Sequence, residues 1–250
     1  HAHLNDEAFD EDRKAVIDEL QDKLKWIINN SYDEQSCDDS VKLAEEYDFI
    51  YAAVGIHPHD ASTYCDELEN KLSEYLNHPK VVALGEIGLD YHYDLSPRDI
   101  QKEVFVKQIA LAEKFDKPIT IHSRDAAQDT FDILKSCLNC RRGAVLHSFS
   151  QSSEMLKLYL DMNVFFSISG VVTFKNADKL RETVKLIPID RMFIETDCPY
   201  MTPVPFRGKR NRPDMTEYTA RVCAELKGMA YEDFCEKTAE NAEKFFGFGI

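Results

Sequence analysis

The sequence has no apolar run that could cross a membrane. A transmembrane helix needs about 20 predominantly apolar residues in succession, and no stretch of the 250 residues approaches that. The N-terminus also has no charged segment followed by an apolar core, so we expect no secretory signal peptide. The chain begins at His1 without a methionine, and we expect that a few residues upstream of His1 are absent from this chain.

The sequence is also poor in basic residues. It has 30 Lys and Arg residues against 45 Asp and Glu residues, so its formal net charge is −15. Such a charge disfavours broad, non-specific binding to nucleic acid, because like charges repel at long range. A polyanionic substrate would therefore require a local cationic site, formed by metal ions or by a basic loop.

The cysteines do not form a pattern of structural disulfides. There are seven, an odd number, and they are scattered along the chain. Cys137 and Cys140 form a single CxxC pair, which without a second pair is weak evidence for a zinc or redox site. We therefore expect reduced thiols in a cytoplasmic protein.

No linker, repeat or low-complexity segment divides the chain, so we predict one domain over residues 1–250. Apolar, β-branched segments alternate with amphipathic ones, which is typical of βαβ units and a parallel sheet. The predicted strands are residues 24–30, 49–57, 81–91, 118–123, 143–149, 164–170 and 191–197. The predicted helices are residues 37–47, 66–76, 96–115, 125–137, 152–160, 176–186, 215–227 and 231–246. With an eighth strand just upstream of His1, this order predicts an α/β protein with a TIM (β/α)₈ barrel, and a doubly wound open sheet is the alternative.

A carboxylate interrupts the third predicted strand. Residues 81–91 read VVALGEIGLDY, and Glu86 lies where a strand buried on both faces should be apolar. An ionised carboxylate does not persist unpaired in a low-dielectric interior. Glu86 must therefore be neutralised, paired with a cation or bound to a metal ion.

Other potential metal ligands occur at the ends of separate predicted strands. The carboxyl ends of barrel strands converge on one face, where active sites are found. The candidate ligands are His1, His3, Glu86, His122, His147 and Asp197. A single histidine at a strand end is usually a hydrogen-bonded core residue, but that explanation does not account for ligands at five strand ends.

The number and type of these ligands favour two divalent ions. Imidazoles together with carboxylates suit a borderline or hard divalent cation, and a catalytic zinc site normally has three protein ligands. Six ligands therefore fit two metals that share a carboxylate, and Glu86 is the candidate for the shared ligand. Glu195, two residues before Asp197, should face the same interior, and we interpret it as a supporting or packing carboxylate.

Several motifs resemble, in order, those of the TatD family of metal-dependent deoxyribonucleases. They are HAHLND at residues 1–6, GIHPH at 55–59, GEIGLDY at 85–91, HSR at 122–124, HSF at 147–149, ETDCPY at 195–200 and GKRN at 208–211. The resemblance covers essentially the whole chain. It implies a TIM-barrel hydrolase that uses two divalent ions (Mg, Mn or Zn) to cleave DNA, typically in the 3′→5′ direction.

The resemblance also implies how the ligands are divided. His1, His3, Glu86 and Asp197 would hold one metal, and Glu86, His122 and His147 would hold the other. The first strand of the family would precede His1. Arg212 stands where the family often has glutamate, which removes a carboxylate and adds a local positive charge.

Together these residues lead to the hypothesis of two-metal phosphodiester hydrolysis. Two divalent ions lower the pKa of a bound water and stabilise the attacking and leaving oxygens. We assign the catalytic roles to Glu86, as the bridge, and to Asp197, which could accept the proton of the attacking water. The charge of the metals would locally offset the net negative charge of the chain.

Substrate binding is expected to use cationic residues near the ligands, because guanidinium groups bind phosphate oxygens in pairs. The predicted phosphate contacts are His57, Arg124, Arg207 and Arg210, with Lys209 and Arg212 in the same loop as the last two. Phe174 and Tyr200 could stack on bases, with aromatic packing as the alternative. We expect a monomer that acts on DNA, preferably single-stranded or at 3′ ends, with no membrane partner.

Two other functions remain open. One is a hydrolase of the same fold that acts on amides, lactones or esters, including aminoacyl-tRNA. The other is a non-enzymatic binding protein built on an inactivated barrel. The basic loop favours phosphate over neutral amides, and the complete set of ligands argues against an inactive site.

Overall fold

The structure is a computed structural model, and it describes residues 1–137 and 141–248. The strands of these residues form one parallel sheet, in which each strand pairs with the next along the chain. They are β1 (Ile27–Asn30), β2 (Ile50–Val54), β3 (Val81–Asp90), β4 (Ile119–Arg124), β5 (Ala144–Leu146), β6 (Val164–Ile168) and β7 (Met192–Ile194). The predicted succession of parallel strands is confirmed.

Residues 1–3 bring the two edges of the sheet together. Ala2 forms parallel bridges both with Asn29 in β1 and with Cys198 beyond β7. The N–H of His3 donates to the carbonyl oxygen of Cys198 at 2.9 Å. An open doubly wound sheet keeps its edge strands apart, so these bridges exclude that alternative. The fold is the predicted TIM barrel.

The helices follow the strands in the predicted alternating order. They are α1 (Arg13–Leu20), α2 (Glu34–Glu46), α3 (Asp66–Leu76), α4 (Arg98–Lys114), α5 (Ala127–Cys137), α6 (Ser153–Leu160), α7 (Asp178–Leu186), α8 (Thr216–Lys227) and α9 (Tyr231–Phe246). Helix α1 was not among the predicted helices, because it is short and buries only Val16, Ile17 and Leu20. None of the described helices is both long and apolar enough to span a membrane.

The cysteines of the described segments form no disulfide. The free thiols are Cys37, Cys65, Cys137, Cys198, Cys223 and Cys235. Burial raises the pKa of the Cys37 thiol to about 12, which makes it unreactive at neutral pH. Cys140, the second cysteine of the CxxC pair, lies outside the described residues.

An apolar plug closes the end of the barrel opposite the carboxyl ends of the strands. Ala53, Val145 and Phe193 pack there with Phe245 and Phe246 from the end of α9. The ring centroids of Phe193 and Phe245 are 5.4 Å apart. Since this end is filled, the polar side chains at the strand ends are reached from one face of the barrel.

A cavity of about 940 Å³ lies between β1 and β7, on the side of Ala2 that faces away from the strand ends. Its walls include Trp26, directly before β1, Ile28 in β1 and Phe193 in β7. A strand that preceded Ala2 would run through this space. The eighth strand expected upstream of His1 stays a prediction.

Candidate metal centre

The predicted ligands lie together at the carboxyl ends of the strands. In chain order they are His1 and His3 beside β1, Glu86 in β3, His122 in β4, His147 directly after β5, and Asp197 three residues after β7. The structure thus brings together all six side chains that sequence analysis singled out. Asp197 was predicted to end the last strand, but β7 ends at Ile194, and the chain turns before it presents the carboxylate.

The first ligand group consists of His1, His3, Glu86 and Asp197. Nε2 of His1 lies 3.2 Å from Nε2 of His3 and 3.2 Å from Oε2 of Glu86. Oδ1 of Asp197 is 3.6 Å from Nε2 of His1 and 3.3 Å from Nε2 of His3. Donors around a tetrahedral cation with bonds of about 2.0–2.1 Å are separated by about 3.4 Å. The spacing of this group therefore fits a divalent metal ion.

A cation also explains the close approach of two imidazoles. Nδ1 of His3 lies 2.9 Å from the backbone oxygen of Asn30, and a carbonyl only accepts, so Nδ1 carries the proton and Nε2 presents a lone pair. Nε2 of His1 faces that lone pair, while Nδ1 of His1 is buried with no hydrogen-bond partner among the described residues. One divalent ion would satisfy both Nε2 atoms.

The second ligand group consists of Glu86, His122 and His147, and it uses the other carboxylate oxygen. Oε1 of Glu86 lies 3.0 Å from Nδ1 of His122 and 3.0 Å from Nε2 of His147. Because Oε2 faces the first ligand group, the carboxylate stands between two sets of imidazoles. This is the arrangement expected of a ligand shared by two metals.

Two more carboxylates orient the histidines of the second ligand group. Asp90 accepts from Nε2 of His122 at 2.9 Å, and Glu195 accepts from Nδ1 of His147 at 3.0 Å. Each carboxylate engages one ring nitrogen and turns the other toward Glu86. The contact of Glu195 with His147 is consistent with the supporting or packing role predicted for this carboxylate. Asp90 was missed, although the alternation of side chains along β3 places it on the same side as Glu86.

The electrostatics of the centre favour ionised carboxylates and cations. Burial raises the pKa of Glu86, but the charge of His147 and the hydrogen bond to His122 outweigh burial and hold that pKa well below its ordinary value. Burial lowers the pKa of His147, but the charges of Glu86 and Glu195 raise it well above its ordinary value. Protons and divalent ions therefore compete for the same imidazole lone pairs.

Two glycines in β3 allow strands β3 and β4 to approach closely. A Cβ on Gly85 would lie 2.6 Å from Cβ of Thr120, and a Cβ on Gly88 would lie 2.0 Å from the backbone oxygen of His122. Gly88 also has a φ of +138°, which residues with a side chain rarely adopt. Glu86 and His122 face one another because no side chain separates their backbones.

His57 lies beside the second ligand group but presents an N–H instead of a lone pair. Its Nδ1 accepts from the backbone N–H of His59 at 3.2 Å, so the proton of the neutral ring is on Nε2. That atom is 3.8 Å from Oε1 of Glu86. Burial, reinforced by the charge of His122, holds the pKa of His57 well below its ordinary value. A neutral donor at this place suits the predicted contact with phosphate.

Two of the predicted phosphate contacts carry guanidinium groups that have no carboxylate partner among the described residues. Arg124 and Arg207 are exposed, and no carboxylate of the described residues lies within ion-pair distance of either. Each is instead held over an aromatic ring. Cζ of Arg124 is 4.9 Å from the ring centroid of Tyr93, and Cζ of Arg207 is 3.8 Å from that of Phe174. Nη1 of Arg207 donates to the backbone oxygen of Thr202 at 3.2 Å, and the other donors of the two groups remain available to an anion.

Arg210 and Arg212, by contrast, are engaged in ion pairs. Arg210 binds Asp12 through both of its Nη atoms at 2.7 Å, so its contact with phosphate stays a prediction that requires this pair to open. Arg212 pairs with Glu19 at 2.7 Å and with Asp214 at 3.3 Å. The positive charge that Arg212 adds to the loop is therefore balanced by two carboxylates.

The sequence is similar to those of metal-dependent hydrolases along its whole length. The family model of TatD-related DNases matches residues 1–247. The uncharacterized metal-dependent hydrolase YabD of Bacillus subtilis is 48% identical over 247 residues, which cover 98% of this chain and 97% of that protein. The 3′-5′ ssDNA/RNA exonuclease TatD of a Rahnella strain is 33% identical over 251 residues, covering 98% of this chain and 95% of that protein.

Solved structures share the fold. The crystal structure of YjjV, a TatD homologue from Escherichia coli, matches with a TM-score of 0.93 at 28% identity, covering 99% of this chain and 96% of that one. An uncharacterized amidohydrolase from Saccharomyces cerevisiae matches with a TM-score of 0.84 at 19% identity, covering 98% of both chains. The likeness to the yeast protein shows the fold alone.

Proposed function

The chain belongs to the family of TatD-related DNases, which are metal-dependent hydrolases, and on this premise we propose that it hydrolyses DNA. The proposed reaction removes nucleotides in the 3′→5′ direction from the end of a single strand and depends on two divalent ions, Mg, Mn or Zn. A relative that is 33% identical carries the name of an exonuclease for single-stranded DNA and RNA, and that name supports the proposal.

The observation that carries the proposal is the position of Glu86. Its Oε2 faces His1 at 3.2 Å, while its Oε1 faces His122 and His147 at 3.0 Å. A carboxylate with one oxygen toward each of two imidazole groups suits a pair of cations, and paired cations are characteristic of enzymes that displace groups at phosphorus.

Each ligand group would hold one ion. His1, His3, Glu86 and Asp197 would bind the first, and Glu86, His122 and His147 would bind the second. When bound, the ions supply Lewis-acid stabilisation of the phosphate oxygens and acidify a water molecule. They also bring positive charge to the barrel mouth of a chain with a net charge of −15, which a polyanionic substrate requires.

Asp197 is proposed to accept the proton of the attacking water. The residue has a φ of +58°, a strained conformation that persists only where the surroundings fix it. Its backbone N–H donates to the carbonyl oxygen of His1 at 3.0 Å, and its own carbonyl accepts from Tyr200 at 2.9 Å. Oδ1 faces His1 and His3, and no described residue donates a hydrogen bond to Oδ2. That second oxygen is available for a proton.

The remaining predicted contacts are proposed to hold the phosphate backbone. The Nε2–H of His57 can donate to a phosphate oxygen beside the second ligand group. Arg124 and Arg207 carry guanidinium groups without carboxylate partners in the described part of the chain, and an arginine fork binds two phosphate oxygens at once. A neutral amide or lactone would use neither of these cations.

The proposed activity is tested by incubating end-labelled single-stranded DNA with the protein and Mg²⁺, Mn²⁺ or Zn²⁺ in turn. A 3′→5′ exonuclease gives a ladder that shortens from the 3′ end. Glu86→Gln should lower kcat at least about 100-fold, because the paired ions supply several kcal/mol of transition-state stabilisation. Glu225→Gln changes an exposed glutamate on α8 and serves as the matched control with unchanged activity.

The same assay distinguishes the other outcomes. DNA left intact with all three metals would reject the nuclease. Hydrolysis of a lactone or an aminoacyl ester in place of DNA would identify a hydrolase of carboxylic esters on the same fold. A Glu86→Gln variant with full activity would reject the bridging carboxylate while leaving the reaction in place.

A further inference from the structure

The loop after β3 carries two exposed apolar side chains at the mouth of the barrel. Tyr93 is 55% exposed and Leu95 is 66% exposed. The ring centroid of Tyr93 lies 5.4 Å from that of His59, and Nε2 of His59 is 3.1 Å from the buried carboxylate of Asp90. The loop therefore borders the second ligand group.

Asp90 fixes this loop relative to a ligand. Its Oδ1 accepts from the backbone N–H groups of His92 at 2.9 Å and Tyr93 at 2.8 Å. Its Oδ2 accepts from Nε2 of His122 at 2.9 Å. One buried carboxylate thus positions both a predicted metal ligand and the backbone that carries the exposed ring. A molecule that contacts Tyr93 therefore lies at a fixed position relative to the second ligand group.

Arg124 adds an unpaired cation at the same place. It ends β4 and holds its guanidinium group over the ring of Tyr93, with 4.9 Å from Cζ to the ring centroid. No carboxylate in the described ranges is within ion-pair distance of it. Arg98, at the start of α4, instead binds Asp94 through Nε and Nη2 at 3.0 and 2.8 Å. Of these two arginines, Arg124 is the one whose donors are free for an anion.

The other exposed ring at the mouth is a poorer match for a nucleotide. Tyr200 is 57% exposed, but its hydroxyl donates to Oδ2 of Asp6 at 2.8 Å. A carboxylate at that distance repels a phosphate. Phe174, which lies beneath Arg207, is half-buried and offers less of its face. Tyr93 combines an exposed ring with a free cation.

An exposed ring with an unpaired guanidinium group over it fits a nucleobase next to a phosphate. Stacking of a base on an aromatic side chain contributes about 1–3 kcal/mol, and it requires a base that is not already stacked in a duplex. Building on the proposed nuclease function, we propose that Tyr93 and Arg124 form a subsite for one unstacked base and its adjacent phosphate. This subsite selects single strands over duplex ends.

The kinetic test compares two substrates of the metal-loaded protein, a short oligothymidylate and methyl p-nitrophenyl phosphate, a small phosphodiester that has no nucleobase. Tyr93→Ala is expected to lower the ratio of kcat/KM for the oligonucleotide to kcat/KM for the small ester at least about 10-fold, mainly through KM. Tyr93→Trp retains a stacking surface and should keep the ratio within about threefold of wild type.

Two more variants separate the contributions of the ring and the cation. Arg124→Gln should weaken binding of the oligonucleotide and reduce the slope of log affinity against log salt by about 1, the change expected for one lost phosphate contact. Leu186→Ala removes another large exposed side chain, 53% exposed at the end of α7, on the far face of the barrel. It is the matched control and should leave the ratio unchanged.

Fluorescence gives a readout that does not depend on turnover. A phosphorothioate oligonucleotide with 2-aminopurine near its 3′ end should be quenched when it binds wild type or Tyr93→Trp, because the base stacks on the ring. The quench should be lost with Tyr93→Ala. If Tyr93→Ala keeps both the quench and the ratio while wild type degrades DNA, the subsite is wrong and the nuclease stands. If wild type degrades no nucleic acid, the proposed function fails and the subsite fails with it.

Discussion

At the scale of single residues, the geometry of the centre depends on hydrogen bonds to the histidines. When one ring nitrogen of a histidine is hydrogen-bonded, the other ring nitrogen is directed toward the candidate metal position. Three of the predicted ligand histidines have such a hydrogen-bond partner, and the three partners are the backbone oxygen of Asn30, Asp90 and Glu195. The sequence singles out these histidines as candidate ligands because histidines and carboxylates at strand ends are few. It does not predict Asn30, because every residue offers a backbone oxygen. The role of Asp90 could be predicted only by assigning each residue of β3 to one of the two faces of the strand.

Replacing Asp90 tests this orienting role. Asp90→Asn keeps the shape and an oxygen for the loop N–H groups but removes the charge that engages Nε2 of His122. We expect the affinity for the second metal to fall about 10–100-fold, measured by titrating the metal-free protein. Asp132→Asn, an exposed change on α5, is the control. Equal affinities for both variants would mean that Asp90 does not support the ligand.

Metal affinity should also depend on pH. The pKa values of His122 and His147 are raised from 6.5, because Asp90, Glu86 and Glu195 outweigh the effect of burial. Protons therefore bind these rings more tightly, and a metal must displace them. The apparent affinity is expected to fall as pH decreases from about 8 to about 6, with protons released on binding. Calorimetry in buffers of different ionisation enthalpy measures that release, and an affinity independent of pH contradicts the expectation.

The same shifts predict the opposite trend for the stability of the metal-free protein. A raised folded-state pKa contributes stability that is fully present below the unfolded value of 6.5 and is lost as pH rises through the folded value. The unfolding free energy of metal-free protein should therefore decrease above about pH 6.5, while metal-loaded protein should not follow it. Urea titrations at several pH values measure both, and a rise in the metal-free curve over this range would contradict the assignment.

At the scale of secondary structure elements, the strands could be predicted but the turns after them could not. The apolar pattern locates β5 and β7, whereas His147 and Asp197 lie just beyond them, next to or within left-handed turns. A hydrophobic pattern reports burial and does not report a positive φ in the residue that follows. The pairing of Arg210 with Asp12 was also missed, because it joins residues far apart in the chain.

Gly88 tests whether the close contact of β3 with β4 is required. In Gly88→Ala the new Cβ would meet the backbone oxygen of His122 at 2.0 Å, at a φ of +138°. We expect a loss of at least about 3 kcal/mol in unfolding free energy. Gly228→Ala also places a side chain at positive φ, but nothing lies within 4 Å of its Cβ, so about 1 kcal/mol is expected. Denaturant titration measures both, and equal losses would show that backbone conformation alone matters.

At the scale of the whole molecule, the barrel separates a filled end from an open one. The plug formed with the end of α9 fills one end, and the predicted ligands lie at the other, so the charges of the candidate centre meet solvent on a single face. Alternating strands and helices over 250 residues predict this architecture. The closure through Ala2 is not predictable from local pattern, because it depends on bridges to residues 27 and 196 positions away along the chain.

The cavity beside Ala2 makes a prediction about stability. A short extension before His1, with alternating β-branched apolar residues, should pair with β1 and β7 and fill the space. Burial of a few such side chains should raise Tm by about 5–15 °C. An extension of equal length made of glycine and serine has no side chains to bury and serves as the control. Equal melting temperatures for the two extended chains would show that the cavity does not accept a strand.

The central claim is that two cations share Glu86, and anomalous diffraction from crystals grown with Mn²⁺ tests it most directly. Two peaks should appear about 3.5–4 Å apart, one beside His1, His3 and Asp197 and the other beside His122 and His147. A single peak, or two peaks that both lie away from the carboxylate oxygens of Glu86, would contradict the claim.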